Sequence, residues 1–319
     1  MFVRLTMLVA ALVVLPASVA RAQFNGHNSL GDFGVLSASQ PAPGFYASGF
    51  YYRYHTDTIR DRNGMVVDPA IPDERSEITL HALAPIAWYV SEHKILGANY
   101  GAMAVVPIAN TALAGPIFGL EQETGVGLAD LYVQPVNLGW HRERADFTAG
   151  LGIFAPTGRY EVDADDNTGL GMWSFELYGG GTFFFDAAKS WHLATIAFYE
   201  THTKKRNSDI KVGDILTLEG GLGKSFREGA LVVGAAYYAQ WKLSSDDLGS
   251  DLPPAVGRTL GKHSVWGLGP EVTLPLATKE KFIASINVRY IWEFGARTKT
   301  EGQSLIVTAT FPVPSIPLN

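Results

Sequence analysis

Twelve polar or ionisable residues stand on the less apolar side of long alternating runs: Glu77, His81, Asn99, Asp130, Gln134, Glu176, Glu219, Gln240, Glu271, Asn287, Arg289 and Glu293. They include carboxylates, amides, one imidazole and one guanidinium, with no serine or cysteine among them, and the eight histidines of the chain show no metal-ligand spacing. Such a set can hydrate a passage, or it can close on itself in ion pairs. Arg289 is placed to neutralise Glu271 or Glu293. The chemistry implied is lining rather than catalysis, so no catalytic residue, metal or cofactor is expected.

Other motifs carry less. Gly220-Gly221-Leu222-Gly223-Lys224-Ser225 ends like a phosphate loop, but Leu218 stands where the first glycine belongs and no helix follows. The acidic stretch from Glu161 to Asn167 has Thr168 where a calcium loop turns on glycine and Ser174 where it needs a bidentate glutamate. No Gly-x-Ser-x-Gly elbow accompanies His81, His192 or His202, which argues against a barrel esterase. The chain has no cysteine. Thiolate zinc sites, cysteine nucleophiles and disulfides are therefore excluded.

The elements that position the twelve residues are strands. Phe147, Ala149, Leu151 and Ile153 share one face, with Asp146, Thr148, Gly150 and Gly152 on the other. A period of two marks a strand whose faces meet different surroundings. The pattern predicts about twelve strands, at 44–57, 77–90, 94–109, 128–140, 144–156, 172–185, 189–203, 210–226, 230–243, 263–277, 281–296 and 303–312. Ile78, Leu80, Ala82, Ala84, Ile86, Trp88 and Val90 form an apolar face opposite Glu77, Thr79 and His81, and the expectation is that the apolar face meets lipid. Tyr46, Phe50, Tyr52 and Tyr54 share a face opposite Arg53. They are expected to form an interfacial girdle, the alternative being an aromatic ladder inside. Further girdle candidates are Trp88, Tyr89, Trp140, Trp173, Phe183 to Phe185, Trp191, Trp292 and Phe294. Pro107, Pro135, Pro270 and Pro275, with Asn137 on an apolar face, predict bulges or register changes.

Links at 91–93, 141–143, 186–188, 227–229 and 278–280 are short. Those at 58–76, 110–127, 157–171, 204–209, 245–262 and 297–302 are longer and polar. Short and long links alternate, as in an up-and-down barrel with periplasmic turns and outer loops. A β-sandwich alternates too, but its strands average five or six residues, and these run to about a dozen.

Composition agrees. The 319 residues carry a net charge of −6 and only 18% charged residues, with 34 glycines and 12% aromatics. About a quarter charged is usual for a soluble chain. The acidic balance argues against nucleic-acid partners. Arg4, the apolar run from Leu5 to Leu15 and Ala20-Arg21-Ala22 read as a secretory signal peptide over 1–22. Residues 23–43, rich in Gly, Ser and Asn, are expected to be an irregular periplasmic lead-in, 44–312 the barrel, and 313–319 a Pro-rich tail.

The central hairpin resembles a family. Gly127-Leu128-Ala129-Asp130-Leu131-Tyr132-Val133-Gln134-Pro135, Gly139-Trp140 and Ala155-Pro156-Thr157-Gly158-Arg159-Tyr160 are similar to the outer-membrane proteins of the meta-pathway phenol-degradation family. So are Trp173-Ser174-Phe175-Glu176 and Gly179-Gly180-Gly181-Thr182. The resemblance implies a transporter-like barrel in the outer membrane of a Gram-negative bacterium, associated with aromatic-compound breakdown. The chain departs from the common pattern of a terminal aromatic, because Phe311 is followed by a further run ending in Asn319. The expected partners are outer-membrane lipid, small apolar or aromatic solutes and the barrel-assembly machinery, with the protein a monomer. The competing expectation is a plugged barrel whose outer loops bind a surface partner.

Overall fold

Alternating runs rich in aromatic and β-branched residues offer a helix no continuous apolar stripe, and they form strands here. The computed structural model describes residues 25–67, 77–115, 120–162, 164, 166–226, 230–249, 262–278 and 282–313, and no helix occurs among them. The expected leader at 1–22, the tail beyond 313 and the link at 227–229 lie outside the described residues.

Twelve staves make the wall. They are β1 (Gly44–Thr56), β2 (Glu77–Ile95), β3 (Ala98–Val105, continued by Ile108–Gly115), β4 (Leu131–His141, preceded by Leu120–Glu123 and Gly127–Leu128) and β5 (Ala145–Ala155). Then follow β6 (Ser174–Phe184), β7 (Trp191–His202), β8 (Ile215–Phe226), β9 (Leu231–Lys242), β10 (Ser264–Ala277), β11 (Phe282–Arg297) and β12 (Gln303–Val313). Neighbours pair antiparallel, and β1 pairs with both β12 and β2, so the sheet closes. Closure leaves the twelve staves without a free edge across the membrane, so the backbone satisfies its own hydrogen bonds without water; among the described residues the rim pieces Leu120–Glu123 and Gly127–Leu128 pair on one side alone, with Ile108–Gly115. Two short pieces, Ile59–Arg60 and Lys299–Thr300, pair as a separate ribbon at the long-loop end.

Several boundaries differ from expectation. The link placed at 91–93 belongs to β2, which runs on to Ile95 and turns at Leu96-Gly97. Both turn residues have positive φ, 52° and 80°, the geometry whose twist suits a two-residue hairpin. The loop expected at 110–127 is largely strand, with Ala112 opposite Glu123 and Gly115 opposite Leu120. The run expected from 210 starts at Ile215.

The prolines act unequally. Pro107 falls in the break between the two halves of β3. Pro135 lies within a register shift between Val133 and Val136. That bulge lets Gln134 and Asn137, three residues apart, both point inward, which resolves the Asn137 misfit. Pro275 is close to a second shift at Leu276/Ala277, whereas Pro270 sits opposite Ala235 in regular pairing.

Around β5–β11 the outward positions are apolar and exposed, among them Leu151, Leu177, Leu193, Leu222, Val233, Leu268, Val272, Ile286 and Val288. A belt of this extent is stable against lipid, not water. Exposed Trp173, Trp266, Trp292 and Phe294 gather toward the long-loop end, and Phe183, Phe185, Trp191 and Phe226 toward the short-link end. Trp88 and Phe184 are not in these girdles. Trp88 lines the interior and Phe184 is buried, because strand alternation turns each away from its exposed neighbours.

Candidate functional site

The interior holds two unlike halves. One is taken by residues 25–43, which do not stay outside the barrel but thread through it. Carboxylates from three staves grip successive backbone amides of this segment. Glu200 on β7 accepts from the amides of His27 (2.7 Å) and Asn28 (3.3 Å). Glu219 on β8 accepts from Gly31 (2.9 Å) and Phe33 (2.8 Å), and Glu271 on β10 from Val35 (2.9 Å). Arg289 on β11 donates to the Gly31 carbonyl at 2.5 Å. A buried carboxylate needs such donors, since burying it unpaired costs several kcal/mol.

Packing completes the clamp. Phe33 packs against Phe198 with the rings tilted and 4.8 Å between centroids, and Val35 is 1% exposed. A Cβ at Gly221, Gly223 or Gly234 would come within 2.6–2.9 Å of Val35. The glycine-rich run that mimics a phosphate loop is therefore a floor under the segment. Gly31, at φ +86°, turns the segment where a Cβ would meet Ile291 at 2.7 Å.

The other half is an apolar lane beside β1–β3. A cavity of about 580 Å³ runs along it, with Phe50, Leu80, Ala82, Ala84, Ile86, Met103 and Val105 on this side and Asp130, Glu176, Arg289, Glu293 and the lead-in on the other. The expectation that the apolar face of β2 meets lipid is thus reversed. Tyr52 and Tyr54, expected in a girdle, are likewise inside. Their hydroxyls bond Ser304 (3.2 Å) and Glu293 (2.8 Å).

The twelve residues of the sequence reading separate accordingly. Glu77 and His81 lie on the outward face of β2, opposite the cavity-lining Leu80 and Ala82, and are not lumen residues. Outside, Glu77 lies 3.4 Å from His55, and His81 shares a hydrogen bond with Tyr51 (3.0 Å). Both are toward the long-loop end, where an outward polar group costs little. Asn99 is at the short-link end and donates to the Ser91 carbonyl. The other nine face inward. Asp130 meets His27 at 2.8 Å, Glu176 accepts from Tyr132 at 2.6 Å, and Gln134 joins Tyr132 and Tyr178. Gln240 bonds Thr217, His263 and Lys299. Asn287 bridges Glu271 and Arg289, so Arg289 serves Glu271, while Glu293 is held by Tyr54 and Tyr238. Sequence reasoning missed Glu200 and His27. Glu200 shares a face with Ala194, Ile196 and Phe198 and with His192 and His202 at its two ends, and His27 lies in a stretch without periodicity.

His27 is the anchor most sensitive to pH. It sits between Asp130 and Ser174, with Glu200 at 3.7 Å. Burial alone would lower its pKa, but hydrogen bonds and charge from Asp130 and Glu200 outweigh that and raise it above 6.5. Burial raises the Asp32 carboxyl to about 7, with Arg289 opposing. A raised histidine contributes fully below its ordinary value and loses its contribution as pH rises through the folded value. An acid held neutral by burial opposes docking once it must ionise. Both groups therefore weaken the clamp on the alkaline side. Channel opening in planar bilayers is expected to increase from about pH 6 to about pH 9, and the His27→Gln variant should respond less. A response identical in the two proteins would contradict the His27 assignment.

Comparison with known proteins follows this geometry. The profile of a family described as "Putative MetA-pathway of phenol degradation" matches residues 56–309. An outer-membrane channel from Pseudomonas putida F1 superposes with a TM-score of 0.72 at 11% identity, over 90% of this chain and 100% of that one. The β domain of the Bordetella autotransporter BrkA gives 0.45 at 14% identity, over 86% and 100%. The CymD monoaromatic hydrocarbon channel gives 0.42 at 8%, over 86% and 90%. A search of curated proteins finds no significant match. At 11% identity the superposition on the Pseudomonas putida F1 channel establishes the barrel and nothing finer.

Proposed function

We propose, from the premise that this chain belongs to the phenol-degradation family whose profile it matches, that it is an outer-membrane channel for passive uptake of small hydrophobic or aromatic compounds. The observation that carries this reading is the inverted wall of β1–β3. Strand alternation forces a choice of face, and here the apolar residues line a cavity instead of meeting lipid. An apolar solute entering from the loop side exchanges water for Leu80, Ala82, Ala84 and Ile86. The gain is roughly 25 cal/mol per Å² of apolar surface buried. No bond is made or broken, and direction follows the concentration gradient. Of the nine inward polar residues, Asp130, Glu219, Glu271 and Arg289 bond the lead-in directly, which keeps it docked inside the barrel.

One observation favours a second reading, a plugged barrel with an interaction role: the lead-in is gripped by three carboxylates along its length. Uptake separates the two. Intact cells carrying the protein should take up labelled toluene from dilute solution faster than cells without it. Equal rates, with correctly folded protein in the outer membrane, would favour the plug.

A further inference from the structure

The hairpin between Ile59 and Val67 folds over the outer side of the wall at the long-loop end. The amides of Asn63 and Met65 donate to Asp61 Oδ1 at 2.8 and 2.9 Å, and the Thr298 amide donates to the Asp61 carbonyl at 3.0 Å. Against this pinned hairpin lies a groove of about 720 Å³ that shares no lining residue with the lane. Trp241 and Trp266, on the outward faces of β9 and β10, form one side, with ring centroids 5.1 Å apart and planes at 89°. Ser264, Asn63, Arg60 and Arg297 form the other. The acid among the lining residues, Glu301, is already engaged. Arg60 Nε donates to its Oε1 at 3.1 Å and the Ala296 amide to its Oε2 at 3.0 Å. Arg297 is different: it is exposed, and its guanidinium has no hydrogen bond or ion pair among the described residues. Its stem runs beside Gly64, where a Cβ would lie 3.9 Å from Arg297 Cγ. The groove thus keeps one uncompensated positive charge.

We infer that this groove holds the headgroup of a phosphorylated glycolipid of the outer leaflet. Its height on the wall is the first argument. Arg297 follows the exposed girdle residues Trp292 and Phe294 on the loop side of β11, where lipid headgroups meet water. Charge is the second. A guanidinium binds phosphate oxygens through parallel N–H donors, and Arg297 is free to do so. The remaining lining suits a sugar: the Ser264 hydroxyl and the Asn63 amide offer donors and acceptors, and the two indoles join an apolar body to a polar tip. A volume of this order takes a molecule far larger than a lone phosphate. Beside the groove the hairpin tip exposes Met65 and Val66, at 63% and 49%, an apolar knuckle fitted to the acyl chains of the same lipid. The inference goes beyond uptake and holds whether or not the lane conducts.

Native mass spectrometry of the delipidated, detergent-solubilised protein tests it, by titration with diphosphoryl lipid A, with fully dephosphorylated lipid A and with phosphatidylglycerol. Inorganic phosphate is added as a competitor. Heat-modifiable gel migration confirms that each variant is folded. Wild type should bind diphosphoryl lipid A more tightly than either other lipid, and inorganic phosphate should not displace it. Arg297→Gln should weaken lipid A about fivefold, a charge-assisted hydrogen bond's worth at an exposed site. Arg297→Lys, which keeps the charge, should recover part of the loss. Lys224→Gln removes an outward cation at the short-link end, where it lies 4.8 Å from the Trp191 ring, and should change nothing. Equal binding of the phosphorylated and dephosphorylated forms, or an Arg297→Gln variant that binds as wild type does, overturns the site. Phosphatidylglycerol binding as tightly as lipid A, or displacement by inorganic phosphate, overturns the glycolipid assignment.

Discussion

Deletion of residues 25–40 is expected to raise single-channel conductance several-fold in planar bilayers while the barrel still folds. A twelve-stranded barrel has an interior intermediate between one filled by its own side chains and a wet porin. Here the lead-in supplies the filling for half of it. Its removal exposes Glu200, Glu219 and Glu271 to water that can enter from either end, so the carboxylates are rehydrated and not stranded. The wall keeps its full hydrogen-bond ladder, since β1 begins at Gly44 and none of the deleted residues pairs in the sheet. The newly opened half is acidic on β7, β8 and β10, with Arg289 beside it, so cations should carry more of the current than before. Unchanged conductance in the deletion variant would mean that the lead-in does not limit flow.

The second large effect is expected from Ala84→Trp. Ala84 is opposite Phe50, in the middle of the apolar wall, and its Cβ points into the cavity. An indole there projects into the lane from the middle of its apolar wall without disturbing the outward face, where Leu83 and Pro85 are exposed. Uptake of labelled toluene by intact cells should fall at least about tenfold, because a bulky side chain set in the lane obstructs it. Leu83→Trp, one residue away and on the other face, should leave uptake unchanged. Equal uptake by the two variants would place the solute path elsewhere.

Most of the wall was legible in the sequence, because a period of two over a dozen residues has few other solutions. Trp266 to Leu274 and Phe282 to Phe294 face as their alternation suggests: large apolar residues outward, Glu271, Asn287, Arg289 and Glu293 inward. β1 and β2 were not legible in the same way. The rule that the greasy face meets lipid presumes a polar inner face, and on β1–β3 the inner face is itself apolar. Alternation then identifies two faces without saying which is inside. His81 and Glu77 misled for the same reason, since near the rim an outward polar group costs only about 0–1 kcal/mol. Pro135 announced its bulge, but the consequence, Gln134 and Asn137 on one face, needed the register. The lead-in was the least legible part. Its contacts run through backbone amides and the glycine floor at Gly221, Gly223 and Gly234, and neither leaves a side-chain pattern in residues 25–43.

The chain has no cysteine, so a single nitroxide label can be placed at will. Labels at Ala82→Cys and Leu83→Cys, in protein reconstituted into bilayers, report which side of β2 faces lipid through their collision rates with oxygen dissolved in the membrane. The inverted wall predicts a lipid-exposed label at 83 and a shielded one at 82. A lipid-exposed label at 82 with a shielded one at 83 would put the apolar face against the bilayer and remove the lane.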